Sequence, residues 1–348
     1  MKILSAKDDG AVRAAAEALR AGLLVAFPTE TVYGLGADAF NPKALAAVFE
    51  AKGRPRFDPL IVHIAELAAL DRIACTELLD EAARERAAAL TARLWPGPLT
   101  LILPKRQEVP DLATSGLSTV AVRFPAHPAA QALIRLSTGA IAAPSANPFG
   151  RLSPTRAEHV RDQLGDKVHI ILDGGRTAVG VESTVLDLSS GPPRILRPGG
   201  VSRERIEALI GPLGTDPGGY PDPDRPPSPG LLKSHYAPRT PLSLHSREEL
   251  LTQDDKPGEG RLFFDNLSRD AWLEARSRRQ AGGQADDGPL PVYRVLSPGG
   301  DLSEAAANLF DLLHDLDGLG LRRIRAEEVP GTGLGPAIND RLLKARST

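Results

Sequence analysis

Short apolar runs alternate with segments of helical period along most of this chain, a pattern that few folds accept. The apolar residues of Ala11 to Arg20 recur at helical spacing, and Gly22 closes that segment before the apolar run Leu23 to Phe27, which predicts a helix and then a strand. The alternation continues with helices predicted at Pro42 to Lys52, Glu77 to Leu94, Pro128 to Ser137 and Arg156 to Leu164. Between them, strands are predicted at Leu60 to Ile64, Leu99 to Leu103, Thr119 to Arg123, Ala140 to Ala143, Val168 to Leu172 and Ser183 to Leu188. Such an order demands an α/β domain, a sheet layered with helices.

At 348 residues the chain is long enough for two domains, each with its own core. The stretch Leu213 to Pro229 is so rich in Pro, Gly and Asp that it cannot hold a ladder or bury apolar surface, so it reads as a linker. Beyond it, predicted strands at Leu242 to Leu244, Arg261 to Phe264, Val292 to Leu296 and Arg322 to Ala326 alternate with helices at Glu248 to Leu251, Ala271 to Arg279 and Leu302 to Asp317. The expected division is residues 1–212 as a first α/β domain, 213–240 as linker and 241–348 as a smaller α/β domain. Within the last, Gln280 to Pro291 reads as a mobile loop.

The formal net charge of -2 argues against a binder that grips nucleic acid through a strongly basic surface. The lone cysteine, Cys75, excludes an intramolecular disulfide and any multi-cysteine metal site, and reads as a core or helix filler. No apolar run approaches the ~20 residues that span a bilayer, and the N-terminus lacks a secretory pattern, so a soluble, cytoplasmic protein without membrane contact is expected.

Chemistry-bearing residues gather where predicted strands and helices end. Pro28 to Gly36 breaks an apolar strand into hydroxyls, a carboxylate and two glycines, as a ligand loop or a plain polar turn would. Lys52, Arg54 and Arg56 follow a predicted helix, where they serve either as a solvated basic cap or as a phosphate clamp. His63 lies within the next strand. Alternation puts Thr119, Ala121 and Arg123 on one strand face, and a buried arginine there needs an anionic partner, from the protein or from a ligand. Ala142 to Pro148 ends another strand in a hydroxyl and an amide, Ser153 and Thr155 either cap a helix or face a ligand, and Ser183 and Arg197 close the series. The gathering suits a ligand crevice of an open α/β sheet. There is no nucleophile elbow, Walker loop, dinucleotide fingerprint or zinc motif, so positioning and electrostatics should carry any catalysis.

Taken jointly, Pro28-Thr29-Glu30-Thr31-Val32-Tyr33-Gly34-Leu35-Gly36, Lys52-Gly53-Arg54-Pro55, Pro59-Leu60-Ile61-Val62-His63 and Pro144-Ser145-Ala146-Asn147 resemble the threonylcarbamoyl-AMP synthase family. Ser228-Pro229-Gly230 with His235-Tyr236-Ala237-Pro238, and Gly333-Leu334-Gly335 with Asn339-Asp340-Arg341-Leu342, resemble its long, two-domain Sua5 form. The resemblance implies an N-terminal twisted α/β sandwich (YrdC-like) with an open cavity, joined to a Rossmann-like C-terminal domain. It implies formation of L-threonylcarbamoyladenylate and pyrophosphate from L-threonine, bicarbonate and ATP, with Mg2+ accompanying ATP and no organic cofactor. The product would serve N6-threonylcarbamoyladenosine at position 37 of ANN-decoding tRNAs, by hand-over to the tRNA threonylcarbamoyl transferase machinery, with tRNA binding itself weak or indirect.

Carried over position by position, the resemblance assigns Thr31, His63, Arg123, Ala143 and Ser183 to threonine. It assigns Arg54, Asp58, Thr119, Ser145, Ser153, Arg197 and Tyr236 to ATP, and Lys52, Arg54, Ser145 and Asn147 to catalysis beside the phosphates. Two departures stand out: Asp58 replaces the family's usual asparagine, which favours a backbone contact there, and Leu231 to Ser234 replace a more basic and aromatic stretch. The competing reading, a double-stranded RNA or ribosome-binding module, meets an acidic net charge and sparse aromatics.

Overall fold

The computed structural model of the chain describes residues 1–214, 228, 230–231, 235–281 and 291–346. Two compact units emerge, Met1–Phe149 with Ser153–Leu232, and Gly150–Leu152 with Lys233–Thr348. Most of the proposed linker lies outside the described residues, as does nearly all of the loop expected over Gln280 to Pro291. The division itself runs through the segment expected as linker and assigns His235 to Pro238 to the second unit.

The first unit runs β1 (Lys2–Ser5), α1 (Asp9–Arg20), β2 (Val25–Phe27), β3 (Gly34–Asp38), α2 (Pro42–Lys52), β4 (Ile61–Ile64), α3 (Glu81–Leu94), β5 (Leu99–Pro104), α4 (Asp111–Thr114), β6 (Thr119–Arg123), α5 (Pro128–Leu136), β7 (Ala140–Ala142), α6 (Ala157–Leu164), β8 (Ile170–Asp173), β9 (Thr184–Asp187), β10 (Arg194–Arg197) and α7 (Arg203–Ile210). Its strands form one mixed sheet in the order β1-β8-β2-β3-β7-β4-β6-β5-β9-β10. Alternation sorts the side chains. Ala26, Val62, Leu101, Val122 and Ile171 point into a core built with α2, α3, α6 and α7, whereas Val25, Phe27, Ile141 and Leu172 point into a second core built with α1 and α5. Opposite the first core, Ile61, Ile102, Ala121 and Val185 make a small cluster of strand residues only. That thinly covered face positions the candidate site.

Local signals explain most boundaries. Asn41 caps α2 by accepting from the backbone of Lys43 and Ala44, Pro42 takes the first turn, and Gly53 ends the helix at φ 61°, in the left-handed region open to glycine. The helix expected from Glu77 instead begins at Glu81, because the Asp80 side chain accepts from Ala83 N; Thr76–Leu78 forms a separate 3-10 turn with Cys75 before it, half-buried. The glycines read as a turn around Gly34 belong to β3. A Cβ on Gly36 would lie 2.9 Å from both Phe27 and Ile141, so glycine there lets an aromatic ring cross the strand.

The second unit contains β11 (Leu242–His245), α8 (Arg247–Thr252), β12 (Glu259–Phe263), α9 (Asn266–Ala281), β13 (Val292–Val295), α10 (Leu302–Gly318), β14 (Arg323–Glu327) and α11 (Gly335–Ala345). Its four strands are all parallel in the order β11-β14-β12-β13, an open α/β sheet. Trp272 of α9 packs on Phe263 at 5.3 Å between ring centres. Buried Arg261 shares the Asp255 carboxylate with Arg276. Asn339 grips both the N–H and the C=O of Val329, at 2.9 and 2.8 Å, which gives the Asn339-Asp340-Arg341 signature a structural role.

Candidate active site

Strand register assembles the site. His63 of β4 pairs with Arg123 of β6, Arg123 with Thr100 of β5, and His63 with Ile141 of β7. Paired residues share a face, so Ile141, His63, Arg123 and Thr100 form one cross-strand rung that runs from the second core, where Ile141 packs, onto the thinly covered side. The next rung holds Ala143, whose N–H donates to Ile61 O at 2.9 Å, then Ile61, Ala121 and Ile102.

Arg123 is 4% exposed and its guanidinium is fixed from three directions. Nη2 meets Glu30 Oε1 at 2.7 Å, Nη1 donates to Thr31 Oγ1 at 2.8 Å, and Nε donates to Gly97 O at 3.3 Å. The anionic partner that the sequence left open is therefore the protein's own Glu30. The loop between β2 and β3 presents Glu30 and Thr31 because Thr29 folds it: its hydroxyl donates to Val32 O at 2.6 Å and accepts from the N–H groups of Thr31 and Val32. With that proton committed, the Thr31 hydroxyl donates to Thr29 at 2.8 Å and is left to accept from Arg123.

Beside Arg123, burial drives the His63 imidazole down to about 3, and the neighbouring guanidinium adds to the shift. His63 is therefore neutral at physiological pH, with Nδ1 3.1 Å from Ile61 O. On the other side of the rung, Thr100 Oγ1 lies 2.7 Å from Ser183 Oγ, and Arg197 Nη2 donates to Ser183 O at 3.0 Å and to its hydroxyl at 3.2 Å.

Arg197 leads into a group of buried charges. Lys52, delivered by the end of α2, donates through Nζ to Ser145 O at 2.6 Å and to Asn147 O. It is therefore no cap of its own helix. It pins a distant turn, and burial, with Arg54 second, pulls its ammonium well below the usual lysine range. Arg54 turns back on its loop, with Nε on Asp58 O at 3.0 Å and Nη2 on Pro59 O at 2.9 Å, and pairs with the Asp58 carboxylate at 2.8 Å. Asp58 feels Arg54, Lys52 and Arg197 together, and Lys52 feels Glu182. The buried Ser153 hydroxyl donates to Glu182, which overturns its reading as a helix cap; α6 has no side-chain cap.

Hydrogen bonds thus run from Glu30 and Thr31 to Arg123 and from Thr100 through Ser183 to Arg197, strand pairing sets Thr100 beside Arg123, and electrostatics lead onward to Asp58, Arg54 and Lys52. Together they unite most of the residues singled out in the sequence. Thr119 stands at the far end of β6 on the same face, two residues from Ala121. Ser145 contributes its carbonyl to Lys52. Tyr236 belongs to the second unit, at φ 62°, with its ring against His235 and Phe310 and the Arg341 guanidinium 5.2 Å from its centre. Three members of the network, Glu30, Thr100 and Glu182, stand outside the site residues expected from sequence, although alternation in Leu99 to Leu103 already places Thr100 on the face shared with Ile102.

Residues 17–199 match the Sua5/YciO/YrdC family model, described as telomere recombination, and residues 201–347 match that of the threonylcarbamoyl-AMP synthase C-terminal domain. The chain belongs to the threonylcarbamoyl-AMP synthase family. Among its relatives, the threonylcarbamoyl-AMP synthase of Pyrococcus abyssi is 43% identical over 335 residues, covering 96% of this chain and 93% of the relative. That of Bacillus subtilis is 43% identical over 343 residues, covering 97% and 93%. The crystal structure of P. abyssi Sua5 complexed with L-threonine is similar with a TM-score of 0.81 and 40% identity, covering 99% of this chain and 96% of that one. Membership of the threonylcarbamoyl-AMP synthases thus extends over both units.

Proposed function

We propose that the chain joins L-threonine, bicarbonate and ATP into L-threonylcarbamoyladenylate, with release of pyrophosphate, as its relatives' name describes for the product. The observation that carries this reading is the adjacency, through strand pairing, hydrogen bonds and charge, of an arginine-centred pocket at Arg123 and the buried basic groups Lys52, Arg54 and Arg197. An α-carboxylate suits Arg123, which keeps N–H donors beyond those on Glu30, Thr31 and Gly97; a planar guanidinium binds carboxylates in pairs. Neutral His63 adds no charge, so the carboxylate is read by one cation. Ser183, bonded to Arg197 and to the Thr100 that pairs with Arg123, lies between the two ends.

The threonine nitrogen attacks the carbon of carbon dioxide, forming a C–N bond and losing a proton to give the carbamate; with bicarbonate the same C–N bond forms as a C–O bond breaks and water leaves. A carbamate oxygen then attacks the α-phosphorus of ATP, and the bond to the pyrophosphate oxygen breaks. Lys52, Arg54 and Arg197 stabilise the negative charge that moves toward the leaving group, in a site dry enough to strengthen the interaction. Magnesium arrives as part of the nucleotide substrate. Among the described residues no group of three His, Cys, Asp or Glu could hold a resident ion, and the carboxylates near the cations, Asp58 and Glu182, engage Arg54 and Ser153. No helix among the described residues is long and apolar enough to cross a membrane. The labile adenylate is then handed to the machinery that modifies the tRNA adenosine.

The test is pyrophosphate release by the purified chain, with mass spectrometry of the nucleotide product. Release that needs both L-threonine and bicarbonate, with the threonylcarbamoyl-adenylate mass, is expected. Release independent of threonine, or none, refutes the proposal.

A further inference from the structure

Asp58 is a buried carboxylate with one oxygen left over. It is 1% exposed, its Oδ2 pairs with Arg54 at 2.8 Å, and its Oδ1 accepts no hydrogen bond from any described residue. Burial pushes the carboxyl up even though Arg54, Lys52 and Arg197 all pull it down. A carboxylate with an unused lone pair, dehydrated among three buried cations, occupies the electrostatic position that a phosphate oxygen would take. Its neighbour Arg54 is meanwhile held on its own loop through Asp58 O, Pro59 O and the Asp58 side chain.

We infer that Asp58 competes with the nucleotide's phosphates for Arg54 and so sets the affinity for polyphosphate. The inference rests on the nucleotide assignment made above and deepens it. For Arg54 to turn its fork to a phosphate it must release the Asp58 carboxylate, and the negative charge left behind then faces the incoming polyanion. Both effects weaken binding, and both vanish when the carboxylate becomes an amide of the same shape. The competition grows with ligand charge, so a triphosphate feels it more than a monophosphate. A cation seated on Oδ1 is disfavoured by the same three basic groups, which is why Asp58 acts here as a positioning residue and not as a metal ligand.

The test uses the full chain and its D58N variant, with calorimetric binding of inorganic tripolyphosphate, first without and then with magnesium, and steady-state kinetics. Neutralising one charge within a few ångströms of the ligand should tighten tripolyphosphate binding by about tenfold, the order set by a single screened Coulomb contact. KM for ATP should fall with it, more than KM for threonine, and Asp58→Glu, which restores the charge, should return the wild-type affinity. Unchanged or weaker binding by D58N overturns the inference, and weakening confined to the magnesium series shows that the carboxylate serves the metal. A wild-type chain that fails to bind tripolyphosphate at all overturns the phosphate site itself together with the competition. Should D58N lose its native circular dichroism, Asp58→Ser carries the same comparison.

Discussion

Glu30→Gln tests what the Arg123 pocket owes to its buried carboxylate. Glutamine keeps the side-chain shape and one oxygen for Arg123 Nη2, and the Thr31 and Gly97 acceptors remain, so the variant loses the compensating negative charge together with the oxygen that accepts from Ala126 N at 3.0 Å. The Arg123 and Glu30 side chains are 4% and 11% exposed, so water does little to screen the guanidinium. Removing one partner of a buried pair costs about 3–5 kcal/mol, and the surviving neutral hydrogen bonds place this case near the lower end, about 3 kcal/mol. For a unit of this size that corresponds to a fall in Tm of roughly 6–12 °C. The assay is thermal unfolding of wild type and variant, each with and without saturating L-threonine. The ligand carboxylate should compensate Arg123 where the introduced amide cannot, so threonine should raise the Tm of the variant more than that of the wild type. An unchanged Tm in the variant would refute the argument, since Arg123 would then be hydrated or compensated by something other than Glu30.

His63 supplies a second test, because its folded pKa lies far below that of the unfolded chain. The unfolded state takes up a proton as pH falls through about 6.5 while the folded state does not, so the stability His63 contributes at neutral pH is lost on acidification; between about pH 7.5 and 5 the loss is roughly 2 kcal/mol, which His63→Asn should abolish in urea titrations. Gly36→Ala should cost about 1–3 kcal/mol of stability, read as a lower urea midpoint, since its Cβ must displace Phe27 or Ile141. In the second unit, Asn339→Ala removes both hydrogen bonds to Val329 and should cost roughly 2 kcal/mol, read as faster amide exchange at Val329.

Much of this architecture is legible in the amino-acid sequence, and the reasons are specific. Pro42 to Lys52 and Thr119 to Arg123 match their predicted spans residue for residue, because one is bracketed by Asn41, Pro42 and Gly53 and the other alternates cleanly. The strand Gly34–Asp38 escaped because its glycines answer to the ring of Phe27, which only the pairing of β2 with β3 brings across them. Helix α11 escaped likewise, since it opens on Gly335-Pro336 and none of its residues caps it by side chain. Within the site, the residue types of Lys52, Arg54, Arg123 and Arg197 announced an anion, but the identity of each fixed partner did not follow. Glu30 lies 93 residues from Arg123 and Ser145 lies 93 residues from Lys52, and only tertiary folding brings either pair together.

The rung Ile141-His63-Arg123-Thr100 has a consequence for how such a gene can drift. Side chains on a strand change face with every residue, so one codon inserted or deleted within β4, β5 or β6 would swing His63, Thr100 or Arg123 into the packed core and bring an aliphatic neighbour to the ligand side. Substitutions there can be sampled one at a time, but length changes cannot. The loops between those strands are under no such arithmetic, and family members should differ in length there while the three strands remain in frame with one another.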